Sequence, residues 1–211
     1  MTALEAYIEA HSTPEDDYLR RLYHDTCARL LYPRMASGHV QGLLLRFIAR
    51  MTGARRVLEI GTYSGYATLS LASGMDKGAV IDTYEINDEQ EPFTRPWLEN
   101  APYEPEIRLH IGDIFQLLPP DAGPYDLIYI DANKRHYTDY YDLVFPHLRV
   151  GGFLLADNTL WDSHVVEATY DHDPQTCGIR AFNDRVAADE RAELVILPLR
   201  DGLTLLRKKS D

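Results

Sequence analysis

The chain has 211 residues, with 21 Lys and Arg against 33 Asp and Glu for a net charge of −12, and it is 45% hydrophobic and 26% charged. That length predicts a single domain over 1–211 with core enough to dispense with disulfides, and the composition excludes wholesale disorder. The acidic balance excludes a nucleic-acid backbone binder and docking on an anionic membrane, yet it suits a divalent cation, which carboxylates commonly ligate.

Cys27 and Cys177 stand far apart and in no CxxC pair, which excludes a zinc ribbon or redox dithiol and fits a reducing compartment. No apolar stretch approaches the roughly 18 residues that would suggest a membrane span. The segment Met1 to Ala10 is amphipathic, with two Glu and no Lys or Arg, so it does not read as a signal peptide. A cytoplasmic protein is the expectation.

Thr13-Pro14-Glu15-Asp16 offers an N-cap, a proline at the first helical position and acids in the first turn, predicting a helix to about Tyr32. Pro33-Arg34-Met35-Ala36-Ser37-Gly38 reads as a turn-rich connector. Leu43, Leu44, Phe47 and Ile48 then mark a helix over Val40 to Ala49, so that 1–52 form a helical extension. From 53 onward short apolar runs alternate with helical ones. The strand candidates are Val57–Ile60, Val80–Tyr84, Ile107–Ile111, Asp126–Ile130, Gly152–Ala156, Leu194–Leu197 and Leu203–Leu206. Helices are expected at Gly65–Ser73, Asp88–Glu99, Ile114–Leu118, Thr138–Leu148 and Ala181–Asp189. This alternation predicts an α/β fold with a seven-stranded, mostly parallel sheet and helices on both faces. The short link around Pro198 and Asp201-Gly202 predicts a hairpin and therefore one antiparallel edge strand.

Open parallel sheets bind ligands beyond the carboxyl ends of their strands. The first candidate strand runs into Glu59-Ile60-Gly61-Thr62-Tyr63-Ser64-Gly65, a tight glycine turn that a ligand could approach closely, though a plain strand–helix corner reads the same way. It is not GxGxxG, so a pyrophosphate cradle is disfavoured. The second ends in Glu85, 24 residues after Gly61, near the spacing of about 20 expected for a ribose-binding acid. The third ends at Gly112-Asp113, where a carboxylate could accept an adenine amino group. The fourth ends in Asp131-Ala132-Asn133-Lys134 and the fifth in Asp157-Asn158. Two carboxylates and a carboxamide delivered by adjacent strands are hard oxygen donors suited to Mg²⁺, Mn²⁺ or Ca²⁺. The blander possibility is that Asp131 and Asp157 cap helices and that Asn158 sits in a turn.

Taken in order, these segments resemble the cation-dependent O-methyltransferases that use S-adenosylmethionine, the caffeoyl-CoA and catechol O-methyltransferase class, and look most like its small bacterial members. The likeness runs from about Met35 to Lys208. It is carried by Val57 to Tyr66, by Ile130-Asp131-Ala132-Asn133-Lys134, by Leu155-Ala156-Asp157-Asn158-Thr159-Leu160-Trp161 and by Leu197-Pro198-Leu199-Arg200-Asp201-Gly202-Leu203-Thr204. The resemblance implies a Rossmann-like sheet and a homodimer. It implies that Glu59, Gly61, Tyr63 and Gly65 line the methionine part of the cofactor, that Glu85 holds the ribose and that Asp113 and Ile114 border the adenine. Met35 and Ser37 match a segment that folds over the cofactor. Asp131, Asp157 and Asn158 match the metal ligands, with Asp131 also counted at the cofactor site and in catalysis. Lys134 matches the general base, and Trp161 an aromatic flanking the acceptor ring. Ala67 departs from the pattern, standing where plant members often carry a serine near the cofactor carboxylate.

The chemistry agrees with that likeness. A sulfonium methyl is already activated, whereas a phenol with pKa near 10 is scarcely ionised at pH 7. Two vicinal oxygens chelated by Mg²⁺ would ionise more readily and be fixed for attack. A cation nearby also disfavours a charged ammonium, so neutral Lys134 could take the proton; a solvated Lys134 paired with Asp131 is the alternative. His110 and His147 read as structural, Asp171-His172-Asp173 as a polar loop, Arg207-Lys208-Lys209 as a solvated tail, and Tyr137, Tyr140 and Tyr141 as core or dimer contacts. A nicotinamide-dependent oxidoreductase and a cofactor-binding module without catalysis remain the rival functions.

Overall fold

The computed structural model describes residues 2–211. Its strands are β1 (Arg56–Ile60), β2 (Val80–Glu85), β3 (Glu106–Ile111), β4 (Tyr125–Ile130), β5 (Leu148–Asp157), β6 (Ala192–Leu197) and β7 (Leu203–Lys208), in the order β3-β2-β1-β4-β5-β7-β6. The mixed, Rossmann-like seven-stranded sheet expected from sequence is present. Its antiparallel member is β7, with β6 lying outside it. The helices are α1 (Ala3–Ala10), α2 (Asp17–Arg29), α3 (His39–Thr52), α4 (Tyr66–Ala72), α5 (Glu91–Glu99), α6 (Ile114–Leu117), α7 (Tyr137–Val144) and α8 (Pro174–Ala187). Among the described residues no helix is long and apolar enough to cross a membrane. The chain divides into two compact units, residues through Arg55 with Thr62–Gly112, and Arg56–Gly61 with Asp113–Asp211.

In the first unit, Leu19 and Leu22 of α2 pack with Ala36, Tyr66, Leu69, Phe93 and Leu98 into a buried cluster. Each large side chain so buried contributes about 1.5–3 kcal/mol. The helix of α2 starts at Asp17, later than the Thr13-Pro14 signal predicts. The Asp16 carboxylate caps it, accepting from Tyr18 N at 2.8 Å and Leu19 N at 3.4 Å, while the Thr13 carbonyl is held by His39 Nε2 at 2.8 Å. Two caps compete within four residues, and the second wins because the first carbonyl is engaged elsewhere. Strands β2 and β3 are parallel, pairing Glu85 with Ile111.

In the second unit β1, β4 and β5 run parallel, with Ile60 opposite Ile130 and Ile130 opposite Ala156. Leu127, Ile128, Tyr129 and Ile130 are all buried, which explains why β4 reads as an apolar run rather than an alternating one. Tyr137 and Tyr141 of α7 meet Phe182 of α8 edge-on at 5.5 and 6.2 Å, so these tyrosines are core residues. The helix α8 begins at Pro174, seven residues earlier than expected, because Asp173 caps it through Thr176 N and Oγ1, each at 2.7 Å. The basic end of the chain is not a solvated tail throughout. Lys208 is 1% exposed in β7, and its ammonium donates to the carbonyls of Phe145 (3.2 Å) and Leu148 (2.9 Å).

Candidate functional site

In the first unit the turn after β1 is built around Glu85. Its Oε2 accepts from Tyr63 N at 2.7 Å and its Oε1 from Asn87 N at 2.9 Å. An ionised carboxylate offers about four acceptor positions, so two remain for a ligand. Thr62 and Thr83 hydroxyls meet at 2.6 Å, and the Thr94 hydroxyl bonds the Tyr63 carbonyl, which fixes a turn in which Tyr63 has φ +46°. Gly65 has φ +84°, a backbone conformation that favours glycine, and a Cβ there would also lie 2.8 Å from the tip of Leu98. Ser64 is buried, and its Oγ finds no partner among the described residues. A buried hydroxyl left unpaired is costly, which makes this a place for a ligand atom. Ser37 is buried, whereas Met35, at the end of a short 3-10 turn, is 57% exposed.

In the second unit Glu59 is fully buried on β1, followed by Gly61 with φ +98°. A Cβ on Gly61 would overlap the Asp131 carbonyl oxygen and stand 2.8 Å from its carbon. The Asp131 amide donates to the Ile60 carbonyl at 2.9 Å. The glycine therefore serves the seating of β1 against Asp131, a reason the sequence pattern did not reveal. Asp113 caps α6 through Phe115 N at 3.0 Å, and Ile114 is buried behind it.

The parallel pairing Ile130–Ala156 carries Asp131 and Asp157 forward together, one residue beyond each strand partner. Neither caps a helix: the short turn at Lys134–His136 is capped by Asn133. Asp157 is buried, and its carboxylate accepts from Tyr129 OH at 3.1 Å and Asn158 N at 2.8 Å. Lys134 is only 7% exposed, and its Nζ donates to Asp131 Oδ1 at 2.7 Å and to Tyr137 OH at 2.8 Å. Lys134 is thus paired with Asp131 as the blander reading had it, but inside the protein rather than in solvent. The Tyr137 hydroxyl donates to the Asp157 carbonyl at 3.0 Å. Burial, followed by the charges of Asp131 and Asp157, pushes the Tyr137 phenol well above its ordinary range, so it stays neutral and can bridge these groups. Sequence gives Tyr137 as a core or dimer contact; its part in holding Lys134 is legible once the three-residue spacing is placed on a turn.

After β5 the backbone enters the left-handed region at Asn158 (φ +57°), Trp161 (+47°), Asp162 (+52°) and Ser163 (+67°). That conformation costs about 1–2 kcal/mol at an ordinary residue. Trp161 is half-buried there. The following loop is held by Arg180, which donates to the carbonyls of Val165, His164 and Glu167 at 2.9, 2.9 and 2.8 Å and to Asp171 at 2.7 Å. Asp171-His172-Asp173 is accordingly a loop element, with Asp171 on Arg180 and Asp173 as a cap. Among the described residues no three His, Cys, Asp or Glu side chains form a metal cluster. The donors at this strand pair are two carboxylates and one carboxamide, a hard-oxygen set that fits Mg²⁺ or Ca²⁺ and not zinc.

A doubly wound sheet of this strand order belongs to the α/β class in which ligands bind beyond the carboxyl ends of the strands. A family model described as O-methyltransferase matches residues 9–209, and the chain belongs to that S-adenosylmethionine-dependent family of enzymes. It is 32% identical over 173 residues to mouse catechol O-methyltransferase domain-containing protein 1, covering 80% of this chain and 66% of that one. It is 30% identical over 187 residues to maize caffeoyl-CoA O-methyltransferase 1, covering 82% of this chain and 72% of the other. The crystal structure of an O-methyltransferase from Bacillus cereus in complex with SAH superposes with a TM-score of 0.90 at 27% identity, covering 99% and 98% of the two chains. Family membership removes the oxidoreductase rival.

Proposed function

We propose that the protein transfers the methyl group of S-adenosylmethionine to one hydroxyl of a catechol-like aromatic acceptor, with a divalent cation held by Asp131, Asp157 and Asn158. One observation carries this reading: the β4–β5 register that advances both carboxylates together, with Lys134 Nζ 2.7 Å from Asp131 Oδ1. The caffeoyl-CoA and catechol names borne by the relatives point to the same acceptor chemistry. When bound, the cofactor supplies an activated methyl group and the cation, here Mg²⁺ or a similar ion, acidifies and chelates vicinal hydroxyls.

The chain's own residues do the rest. Glu85 holds the ribose hydroxyls with its remaining acceptor positions, and Asp113 and Ile114 border the adenine. Glu59, Gly61, Tyr63 and Gly65 line the methionine portion. The unpartnered Ser64 hydroxyl supports a polar cofactor group there, which also supplies the contact that Ala67 cannot make. Met35 and Ser37 cover the cofactor. Lys134, in its neutral form, accepts the acceptor's hydroxyl proton, while Asp131 and Tyr137 hold its Nζ in place. Trp161 flanks the acceptor ring. As the resemblance implies, the protein works as a homodimer, and its cysteine usage suits the cytoplasm.

The test is methylation of caffeic acid by purified protein with S-adenosylmethionine, before and after exhaustive chelation. Activity should disappear with the metal and return with Mg²⁺. Catechol methylation that persists in the stripped protein refutes the cation's role.

A further inference from the structure

The turn between β6 and β7 carries the Pro198-Leu199-Arg200-Asp201-Gly202 motif, to which the proposed function gives no task. In the structure this turn grips the segment that follows β5. The Asp201 carbonyl accepts from Leu160 N at 2.9 Å and Trp161 N at 3.3 Å, and the Gly202 carbonyl accepts from Thr159 N at 3.1 Å. The Asp201 carboxylate takes the Asp162 amide on Oδ1 and the Asn158 carboxamide, through Nδ2 at 3.4 Å, on Oδ2. Gly202 has φ +88°, and a Cβ there would stand 2.6 Å from Leu160 N, so the two segments touch backbone to backbone.

Three of those partners are among the segment's strained residues. Asn158, Trp161, Asp162 and Ser163 all have positive φ and none is glycine. Strain of this kind persists only where surrounding contacts over-determine it. A second consequence follows from hydrogen-bond chemistry. An ionised carboxylate can only accept, so the Asn158 amide must turn its Nδ2 toward Asp201, which leaves Oδ1 for the opposite side. That oxygen is the atom of the carboxamide able to ligate a hard cation.

We infer that Asp201 is a positioning residue: it orients Asn158 so that its carbonyl oxygen serves the cation, and it fixes the Trp161 segment against which the acceptor ring lies. This rests on the site reading proposed above. Partners of this kind typically alter metal affinity 10–100-fold when removed.

The test uses chelator-stripped full-length protein, with Mn²⁺ as probe followed by electron paramagnetic resonance. Asp201→Ala should weaken Mn²⁺ at least tenfold and raise the acceptor KM more than it lowers kcat, while S-adenosylhomocysteine affinity by calorimetry stays within twofold. Asp201→Asn keeps an oxygen for the Asp162 amide but sets an amide nitrogen against Asn158. It should therefore lose Mn²⁺ affinity with little change in acceptor KM, and it serves alone if the alanine variant does not fold. Mn²⁺ affinity within threefold of the unsubstituted protein in either folded variant overturns the inference. Failure of the unsubstituted protein to bind Mn²⁺ overturns the metal site itself, and the inference with it.

Discussion

Replacing Lys134 by methionine removes the one ammonium that touches both Asp131 and Tyr137 while keeping the volume of its aliphatic stem. Two hydrogen bonds go, at 2.7 and 2.8 Å, in a side chain only 8% exposed. Lost bonds to charged groups cost about 1.5–3 kcal/mol each. Release of a buried ammonium offsets part of that, because burying a charge is itself unfavourable. The net loss should be about 1–3 kcal/mol, which for a chain of this size is a fall of roughly 2–12 °C in Tm. The effect on turnover is separate and larger. A general base contributes about 10²- to 10⁴-fold, or roughly 2.7–5.4 kcal/mol of barrier. Single-turnover kinetics at saturating catechol and Mg²⁺ should show that loss in Lys134→Met, with S-adenosylhomocysteine affinity unchanged. Lys134→Arg separates charge from proton acceptance: a guanidinium can still bond Asp131, but it does not deprotonate. The arginine variant should therefore recover stability and not rate. A Lys134→Arg enzyme with more than a tenth of the original kcat refutes Lys134 as the base.

Gly61→Ala forces a Cβ into the Asp131 carbonyl at a φ of +98°, so it should cost about 2–5 kcal/mol, the sum of a backbone penalty and an overpacking penalty, and weaken Mn²⁺ binding. Thermal denaturation of the variant checks it, and a Tm within 2 °C of the original contradicts the contact. Asp189 is the acid-stability prediction. Its carboxylate accepts from Arg191 N, Nε and NH2 at 3.0, 2.9 and 2.7 Å, from Arg185 at 3.0 Å and from Tyr141 OH at 2.9 Å. The Arg191 hydrogen bonds lead in holding this carboxyl far below the usual carboxylate range. The folded protein thus binds fewer protons here than the unfolded chain, so the stabilisation is fully present above the unfolded value near pH 4 and is lost as pH falls toward the folded one. Asp189→Asn should lose about 1.5–3 kcal/mol at pH 7 in urea denaturation, with a gap that narrows below pH 4; a gap independent of pH contradicts the pairing.

How much of this was legible in the sequence depends on how far away the deciding partner lies. The ends of β4 and β5 were legible, because a strand end, an acid and the parallel pairing of neighbouring strands are each local signals that multiply. Asp131 and Asp157 then arrive together without any further information. The start of α2 was misplaced by a local ambiguity, two caps three residues apart, which the distant His39 resolves by holding the Thr13 carbonyl. Lys208 was misread for a stronger reason: besides pairing with Asp211 at 2.7 Å, its ammonium reaches the carbonyls of Phe145 and Leu148, about sixty residues back, which nothing in the local sequence advertises.

The segment after β5 is the extreme case. Trp161, Asp162 and Ser163 have no glycine to announce a left-handed backbone, and the contacts that hold it come from Asp201, 39 residues ahead of Asp162. A propensity argument sees there only a polar loop. Side chains delivered by sheet register are therefore readable from a single chain. The residues that hold neighbouring side chains in place, Tyr137 on Lys134 and Asp201 on Asn158, become visible only through hydrogen bonds. Such bonds constrain donor and acceptor identity, so they turn a position into an orientation. An asparagine at a strand end is a possible ligand by position; a carboxylate on its nitrogen side decides which of its atoms does the ligating.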